Sequence, residues 1–212
     1  MREIEELSVG GSVTLRGPVR FGVMRVSGSL KIEGDAEGEE MRISGSSVII
    51  GKIRASEIKV AGSMKVSGDI EASELEIAGS LESGGEIRGE DIEIAGSARA
   101  RRVEGRRVKI HGSAKVEEVV AGEVEVGKKS KVRGLIVGRE IRIGREAEVQ
   151  DVIGGEVHIG RGAEVRYVEG MEVRVDSDAE VETVRYVEEA SIHERASVGK
   201  VERVNRLSRE LP

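Results

Sequence analysis

Three histidines, one glycine-rich segment and several spaced carboxylates are the residues of this chain that could carry chemistry. His111, His158 and His193 could ligate a metal, but zinc needs its ligands at ~2.0–2.1 Å. In the repeat described below, His158 projects outward between Val157 and Ile159, while His111 and His193 each follow a strand at a corner. Five repeats separate His111 from His193, roughly 24 Å at ~4.8 Å per repeat, so one chain cannot bring them onto one ion. Gly122–Lys129, GEVEVGKK, is one residue short of a phosphate-binding loop, and Lys129 stands where Ser or Thr would ligate Mg²⁺. Val124 and Val126 are the inward pair of a strand there, so no flexible loop leads into a helix. Glu76 and Glu93 stack, as do Glu148, Glu164 and Glu180; stacked like charges can shift a pKa or attract a cation. They stand on convex walls without the loops that build a cleft or the aromatics that stack on sugars. The regular Thr ranks of an ice-binding face are missing as well, with only Thr14 and Thr183 present. No catalytic residue, cofactor or metal is expected, and the chain is not read as an enzyme.

What positions these residues is a repeat. Glu57–Ser73, EIKVAGSMKVSGDIEAS, is followed by ELEIAGSLESGGEIRGE at Glu74–Glu90. The Gly-Ser pair recurs at Gly11, Gly28, Gly45, Gly62, Gly79, Gly96 and Gly112, with a spacing of 17 five times and then 16. A fixed period of this size marks a solenoid. Within each repeat the apolar residues alternate in pairs, Ile58/Val60, Met64/Val66 and Ile70/Ala72, which is strand periodicity. Three short strands separated by Gly/Ser corners make one turn of a three-sided coil. Recurrent glycine argues against helices, at ~1 kcal/mol each. Twelve turns open at Leu7, Met24, Met41, Ile58, Leu75, Ile92, Val108, Val124, Ile141, Val157, Val173 and Ala190.

The predicted fold is all-β, a single-domain right-handed parallel β-helix of about twelve turns of 16–17 residues. It occupies residues 7–199, between a lead-in at 1–6 and a C-terminal cap or tail at 200–212. The 16–17 period and paired inward residues suit this hand better than the left-handed coil, whose hexapeptides give ~18-residue turns. The shortened turns lose their residue at one corner (Val66 to Ile70 spans four positions, Val149 to Val152 three), so the inward columns are expected to stay in register. The last inward position of strand three is small, at Ala55, Ala72, Gly89, Gly105, Ala121, Gly154 and Gly170. Phe21 and Tyr186 break that column near the two ends. Phe21 reads either as a ring folded across an open end or as an ordinary aromatic in a wider turn.

Composition bounds the partners. The chain has 212 residues, no Cys, no Trp, one Phe and a formal net charge of −6. The acidic balance offers nothing to a nucleic acid, and the missing Cys fits a reducing compartment. No apolar run reaches the ~20 residues that span a bilayer, and Met1–Leu7 lacks the apolar core of a signal peptide. A cytoplasmic protein is expected. One Asn and one Gln among 34 Lys/Arg and 40 Asp/Glu resemble hyperthermophile composition.

On the outward face of strand three, Arg20, Glu37, Arg54, Glu71, Arg88 and Glu104 alternate in sign. The same column then reads Val120, Val137 and Ile153 before Glu169 restores charge. Three stacked aliphatics on a charged wall suggest a lateral interface or a protein partner; tolerated β-propensity on a half-exposed strand is the alternative. Val201, Val204, Leu207 and Leu211 recur at helical spacing, so the tail reads as a short capping helix or as one more irregular strand.

These repeats resemble the bactofilins, a family of polymer-forming cytoskeletal proteins, most clearly in EIKVAGSMKVSGDI at Glu57–Ile70 and ELEIAGSLESGGEI at Glu74–Ile87. The resemblance covers about Leu7 to Val204 at the level of repeats, and other β-helical domains share similar phrases. It implies right-handed β-helices that join end to end into filaments without nucleotide and serve as scaffolds. The sequence departs from the family in lacking disordered flanks and a short hydrophobic N-terminal segment, and in being longer, so the resemblance does not extend to membrane recruitment. The family's C-terminal aromatic contact falls on Tyr186. A homopolymer would then join through Ile4, Leu7, Phe21, Tyr186, Val201, Val204, Leu207 and Leu211, with Val120, Val137 and Ile153 pairing protofilaments. Two other classes compete: a non-polymerising adaptor that uses the valine wall, and a left-handed β-helical enzyme with a histidine site between subunits.

Overall fold

A computed structural model describes residues 2–212. It contains strands and turns and no helix, and the strands pair in parallel as the stacked coils of a β-solenoid. The chain divides into two compact units, residues 1–104 and 105–212, where the repeat predicts one domain. In a solenoid each coil packs only on its neighbours, so compactness does not tie distant coils into one body.

In the first unit the strands are β1 (Arg2–Val9), β2 (Ser12–Arg16), β3 (Val19–Val26), β4 (Ser29–Glu33), β5 (Ala36–Ile43), β6 (Ser46–Ile50), β7 (Ile53–Val60), β8 (Ser63–Val66), β9 (Ile70–Ile77), β10 (Ser80–Ser83), β11 (Glu86–Ile94) and β12 (Ser97–Arg99). The short strands form one stack and carry the second side of each coil. The long ones carry the third side of one coil and the first side of the next. They turn that corner internally: along β7 the buried residues are Ile53 and Ala55, then Ile58 and Val60, a step of three that breaks the alternation and bends the strand. Leu7, Met24, Met41, Ile58, Leu75 and Ile92 lie in one column, as the repeat predicts. Residues 2–6 belong to β1 and pair with β3 from Arg2↔Val19 onward. They are part of the first coil rather than a lead-in.

The Gly-Ser corner has a steric cause. A Cβ placed on Gly28, Gly45, Gly62, Gly79 or Gly96 would lie within 3.0 Å of backbone carbonyl atoms of the preceding coil, a separation real side chains essentially never show. The serine N–H then bonds the glycine carbonyl one coil back, as in Ser63 N–H to Gly45 O at 2.9 Å. Close approach of backbone to backbone is what excludes every larger residue here.

β13 (Arg102–Ile110) carries the chain into the second unit, which continues with β14 (Ser113–Val126), β15 (Lys131–Ile143), β16 (Glu148–Ile159), β17 (Glu164–Val175), β18 (Glu180–Ile192) and β19 (Ser197–Arg203). Here all three sides run together in single strands. Only the corner after the first side interrupts them, as the turns at Lys128–Lys129, Arg145–Glu146, Arg161–Gly162, Ser177–Asp178 and Glu194–Arg195. Lys129, Glu146, Gly162 and Asp178 take positive φ, 58, 56, 66 and 61°, and Ala147, Ala163 and Ala179 fill the corner behind them with no exposure. The columns do not all stay in register, contrary to the spacing argument. Ala114 pairs with Val132 rather than with Ser130, and the pairing slips again between Val132 and Leu135. Gly134, at φ 131°, takes up the extra residue.

Small residues on strand three are needed in this unit. A Cβ on Gly154 or Gly170 would press within 3.0 Å of the Val157 or Val173 side chain, each of which opens the next first side.

The tail does not form a helix. β19 continues the sheet by pairing with β18, Val184↔Val201 among others, and residues 204–212 are bends and extended chain. Four apolar residues at helical spacing in a thirteen-residue stretch are too short to hold a helix without a packing partner, and Val198 and Val201 instead continue the columns of Val181 and Val184.

Candidate assembly surfaces

The two chain ends and the third-side wall are the places where the sequence puts contacts. At the first coil, Ile4 and Leu7 are half-buried, standing over Phe21 and Met24. Phe21 itself is 2% exposed. Its ring packs against Gly38 of the next coil, where any Cβ would collide with it. Phe21 is therefore core of the first complete coil and not a cover over an open end, because Ile4 roofs it and Gly38 makes room below. It is inaccessible to another copy without unfolding.

At the last coil the inward residues are incompletely covered. Ala190, Ile192, Val198 and Val204 are half-buried and Val201 is 48% exposed, whereas Val173, Val175, Val181 and Val184 just before them are at 0–2%. Tyr186 stands half-buried in the small-residue column, paired with Gly170 on one side and Arg203 on the other. β1 and β19 are the terminal strands of their stacks.

The wall is occupied. Val120, Val137, Ile153 and Glu169 do stack in consecutive coils, but Val120 is half-buried, Val137 3% and Ile153 6% exposed, and Glu169 has no exposure at all. The chain's own tail returns over them. Ser208 donates its backbone N–H to Glu169 Oε1 and its hydroxyl to Glu169 Oε2, the latter at 3.0 Å. Arg209 pairs with Glu118, and Leu211 Cδ1 comes to the position a Gly155 side chain would approach at 3.5 Å. Tyr167 donates its hydroxyl to Glu169, and Arg185 Nη1 lies 3.6 Å from the same carboxylate. The predicted lateral face is thus an internal contact. Alternation correctly turns those side chains outward; what it cannot see is the nine residues that come back to cover them.

That cluster also moves a pKa. Burial first, and then the hydrogen bond to the Glu169 carboxylate, hold the Tyr167 phenol above its ordinary range.

The charge ladder of the first unit forms as its sequence suggests. Arg20 meets Glu37 at 3.3 Å, Arg54 meets Glu71, and Arg88 lies 4.0 Å from both Glu71 and Glu104. A second ladder, not anticipated, runs along the first side. Arg25 bridges Glu6 and Glu40 at 2.6 and 3.7 Å, and Lys59 reaches Glu57 and Glu74 at 3.1 and 3.8 Å. Its signal lies in the column Arg25, Arg42, Lys59 set beside Glu40, Glu57, Glu74. Also unforeseen are Val48 and Ile50, 39% and 49% exposed on β6, where the segment SSVII puts aliphatics on the outward positions.

The histidines go to separate local partners. His158 Nε2 lies 2.9 Å from Asp176 Oδ2, His193 Nδ1 accepts the Arg195 N–H at 3.1 Å, and His111 packs over Gly127. Among the described residues no group of three or more His, Asp or Glu side chains could hold a metal ion, and no helix is long and apolar enough to cross a membrane. In the segment that resembles a phosphate loop, Val124 and Val126 are buried in β14 and Ser130 is 2% exposed behind the corner.

The chain matches no family model, no curated protein and no solved structure.

Proposed function

We propose that this chain is a structural protein of the cytoplasm that assembles with copies of itself, the last coil of one copy stacking on the first coil of the next to form nucleotide-independent filaments. The observation that carries this reading is the contrast between inner and terminal coils. Inward residues of the inner coils are sealed, while Ile4 and Leu7 on β1, Ile192 on the stretch of β18 beyond its pairing with β19, and Val198 and Val201 on β19 stay partly open. An unpaired edge over an apolar core is a template for another strand. Stacking would bury those residues and continue the parallel ladder. The resemblance of the repeats to the polymer-forming bactofilins favours the same reading, and the ion ladders suit a protein that works hot, where charge networks gain value.

Gly11 supplies the test. A Cβ there meets nothing within 4 Å, although at Gly28, one coil on, the equivalent atom runs into Gly11's carbonyl. Gly11→Val should therefore leave the isolated chain folded and place a side chain where a stacked copy must approach. Negative-stain electron microscopy without nucleotide, at low and physiological salt, is expected to find thin filaments of the parent and short rods of Gly11→Val with an unchanged melting temperature. Single particles of the parent at every concentration, or equally long filaments of the variant, would overturn end-on assembly.

A further inference from the structure

We propose that residues 205–212 are an exchangeable strap, and that the wall of Val137, Ile153 and Glu169 is a docking face for the same segment of a second copy of this chain. The wall stands in an outward-facing column, yet it is as buried as core, and the strap is anchored around it on Glu169, Glu118 and Gly155. The strap brings a particular set of groups: an N–H and a hydroxyl for the Glu169 carboxylate, a guanidinium for Glu118, and an aliphatic tip over Gly155. A fully buried carboxylate must keep its donors. Whatever replaces the strap must match Leu-Ser-Arg-x-Leu, and a second copy carries that sequence.

Exchange is feasible because no backbone-to-backbone hydrogen bond fastens the strap. Among the described residues, backbone-to-backbone hydrogen bonding ends at Val204, whose N–H reaches Tyr186 O at 2.8 Å. Residues 205–212 are in no strand or helix, so the segment rests on the Ser208 N–H and hydroxyl bound to the Glu169 carboxylate and on its own side chains. Between Val204 and Ser208 the chain arches over a cleft of about 460 Å³ floored by Glu169 and Arg185. That slack is a hinge: the segment can leave its own wall and reach another without breaking β19. A swapped strap makes in trans the contacts it makes in cis, so the exchange trades equal contacts, as in domain swapping generally. The face lies on the sides of the coils, and the proposal is independent of end-on stacking.

The absence of cysteine from the sequence makes engineered thiols unique reporters. Glu118→Cys and Arg209→Cys in one chain should be joined internally by a short bismaleimide at high dilution. The two single variants, mixed at high concentration in the Gly11→Val background and warmed briefly, should give a heterodimeric cross-link several-fold above a mixture of Arg209→Cys with Ser29→Cys. Adding Ile153→Arg to the Glu118→Cys chain should return the yield to that control. Internal joining without the heterodimer would make the strap fixed and overturn exchange. No internal joining would overturn the strap itself, and a heterodimer yield equal to the control would mean collision without docking.

Discussion

Both units turn the same corner after the first side of each coil, and both place glycine there, but the second unit adds a left-handed position that the first lacks. In the first unit Gly28, Gly45, Gly62 and their successors have no left-handed φ, and the space that a side chain would need is filled by the preceding coil's carbonyl. In the second unit Gly162 sits at φ 66°, and the nearest atom to a Cβ placed there would be Glu146 Cγ at 3.6 Å. At that position the constraint is conformational, and Lys129, Glu146 and Asp178 occupy it despite its strain, whereas a Cβ on Gly144 or Gly160, at the head of the same turn, would lie within 3.0 Å of backbone of the preceding coil, as in the first unit. The first corner therefore repeats unchanged because backbone touches backbone. The second adds a left-handed third position that admits Lys, Glu, Gly or Asp, so its sequence reads GKKS, GREA, GRGA and DSDA and the Gly-Ser signal stops after Gly112.

The largest test of this difference concerns the one aromatic position that both units share. Phe21→Ala should remove about 3–5 kcal/mol, since the ring is 2% exposed and fills the space that Gly38 leaves. Tyr186→Ala, at the half-buried equivalent in the last complete coil, should lose much less. Denaturant melts of both variants check it, and equal losses would mean that the terminal coil of the second unit is as tightly packed as the first.

Next comes the corner itself. Gly62→Ala should destabilise by about 3 kcal/mol, the upper end for overpacking, because the obstacle is backbone that has no rotamer to adopt. Gly11→Ala, the same substitution where no coil precedes, should stay within about 0.5 kcal/mol. A mild Gly62→Ala would show that the coils can spread, and the steric account of the Gly-Ser pair would fail.

These positions also mark how far the sequence can be read. The period, the inward columns and the alternating charges announce the coils, because each is a local pattern repeated many times. The strap is invisible for the opposite reason: it is made once, by contacts such as Ser208 with Glu169, thirty-nine residues apart, with no repetition to announce it. Its trace lies in two facts that need joining, an aliphatic stretch in an outward column and an apolar tail without a place to go. Phe21 shows a different limit. A place near the chain end implies exposure only if nothing lies beyond it, and one further strand, β1, already covers the ring.

Titration separates the units through their ion pairs. In the first, Asp69 is held below the usual carboxylate range by its hydrogen bond to Lys52 and then by the Glu86 N–H. In the second, Asp178 is held low by Arg195, which grips both its oxygens at 2.6 and 2.7 Å. A depressed folded pKa contributes stability above the unfolded value, near 3.8, and loses it as pH falls through the folded value. Melting temperature should drop on acidification below about pH 4, with Asp69→Asn and Asp178→Asn each flattening part of the decline. On the alkaline side the sign reverses for Tyr167. Its raised pKa favours the folded state below about pH 10, and that contribution is lost as pH climbs toward the folded value. With two Tyr and no Trp in the chain, ultraviolet titration should show a late-ionising component that Tyr167→Phe removes.

The smallest effect isolates the conformational term. Gly162→Ala meets no obstacle closer than 3.6 Å, so whatever it loses comes from forcing a side chain into left-handed φ, about 1 kcal/mol. Lys129→Gly makes the opposite change at φ 58°. It relieves the same strain and forfeits an exposed, solvent-screened pair with Glu146 at 3.3 Å, while glycine loses more backbone entropy on folding. The net should lie within about 0.5 kcal/mol of zero, against a clear loss for Gly162→Ala. Guanidinium midpoints resolve the two. If Gly162→Ala proves as damaging as Gly62→Ala, the left-handed position is steric as well, and the distinction between the units rests on turn length alone.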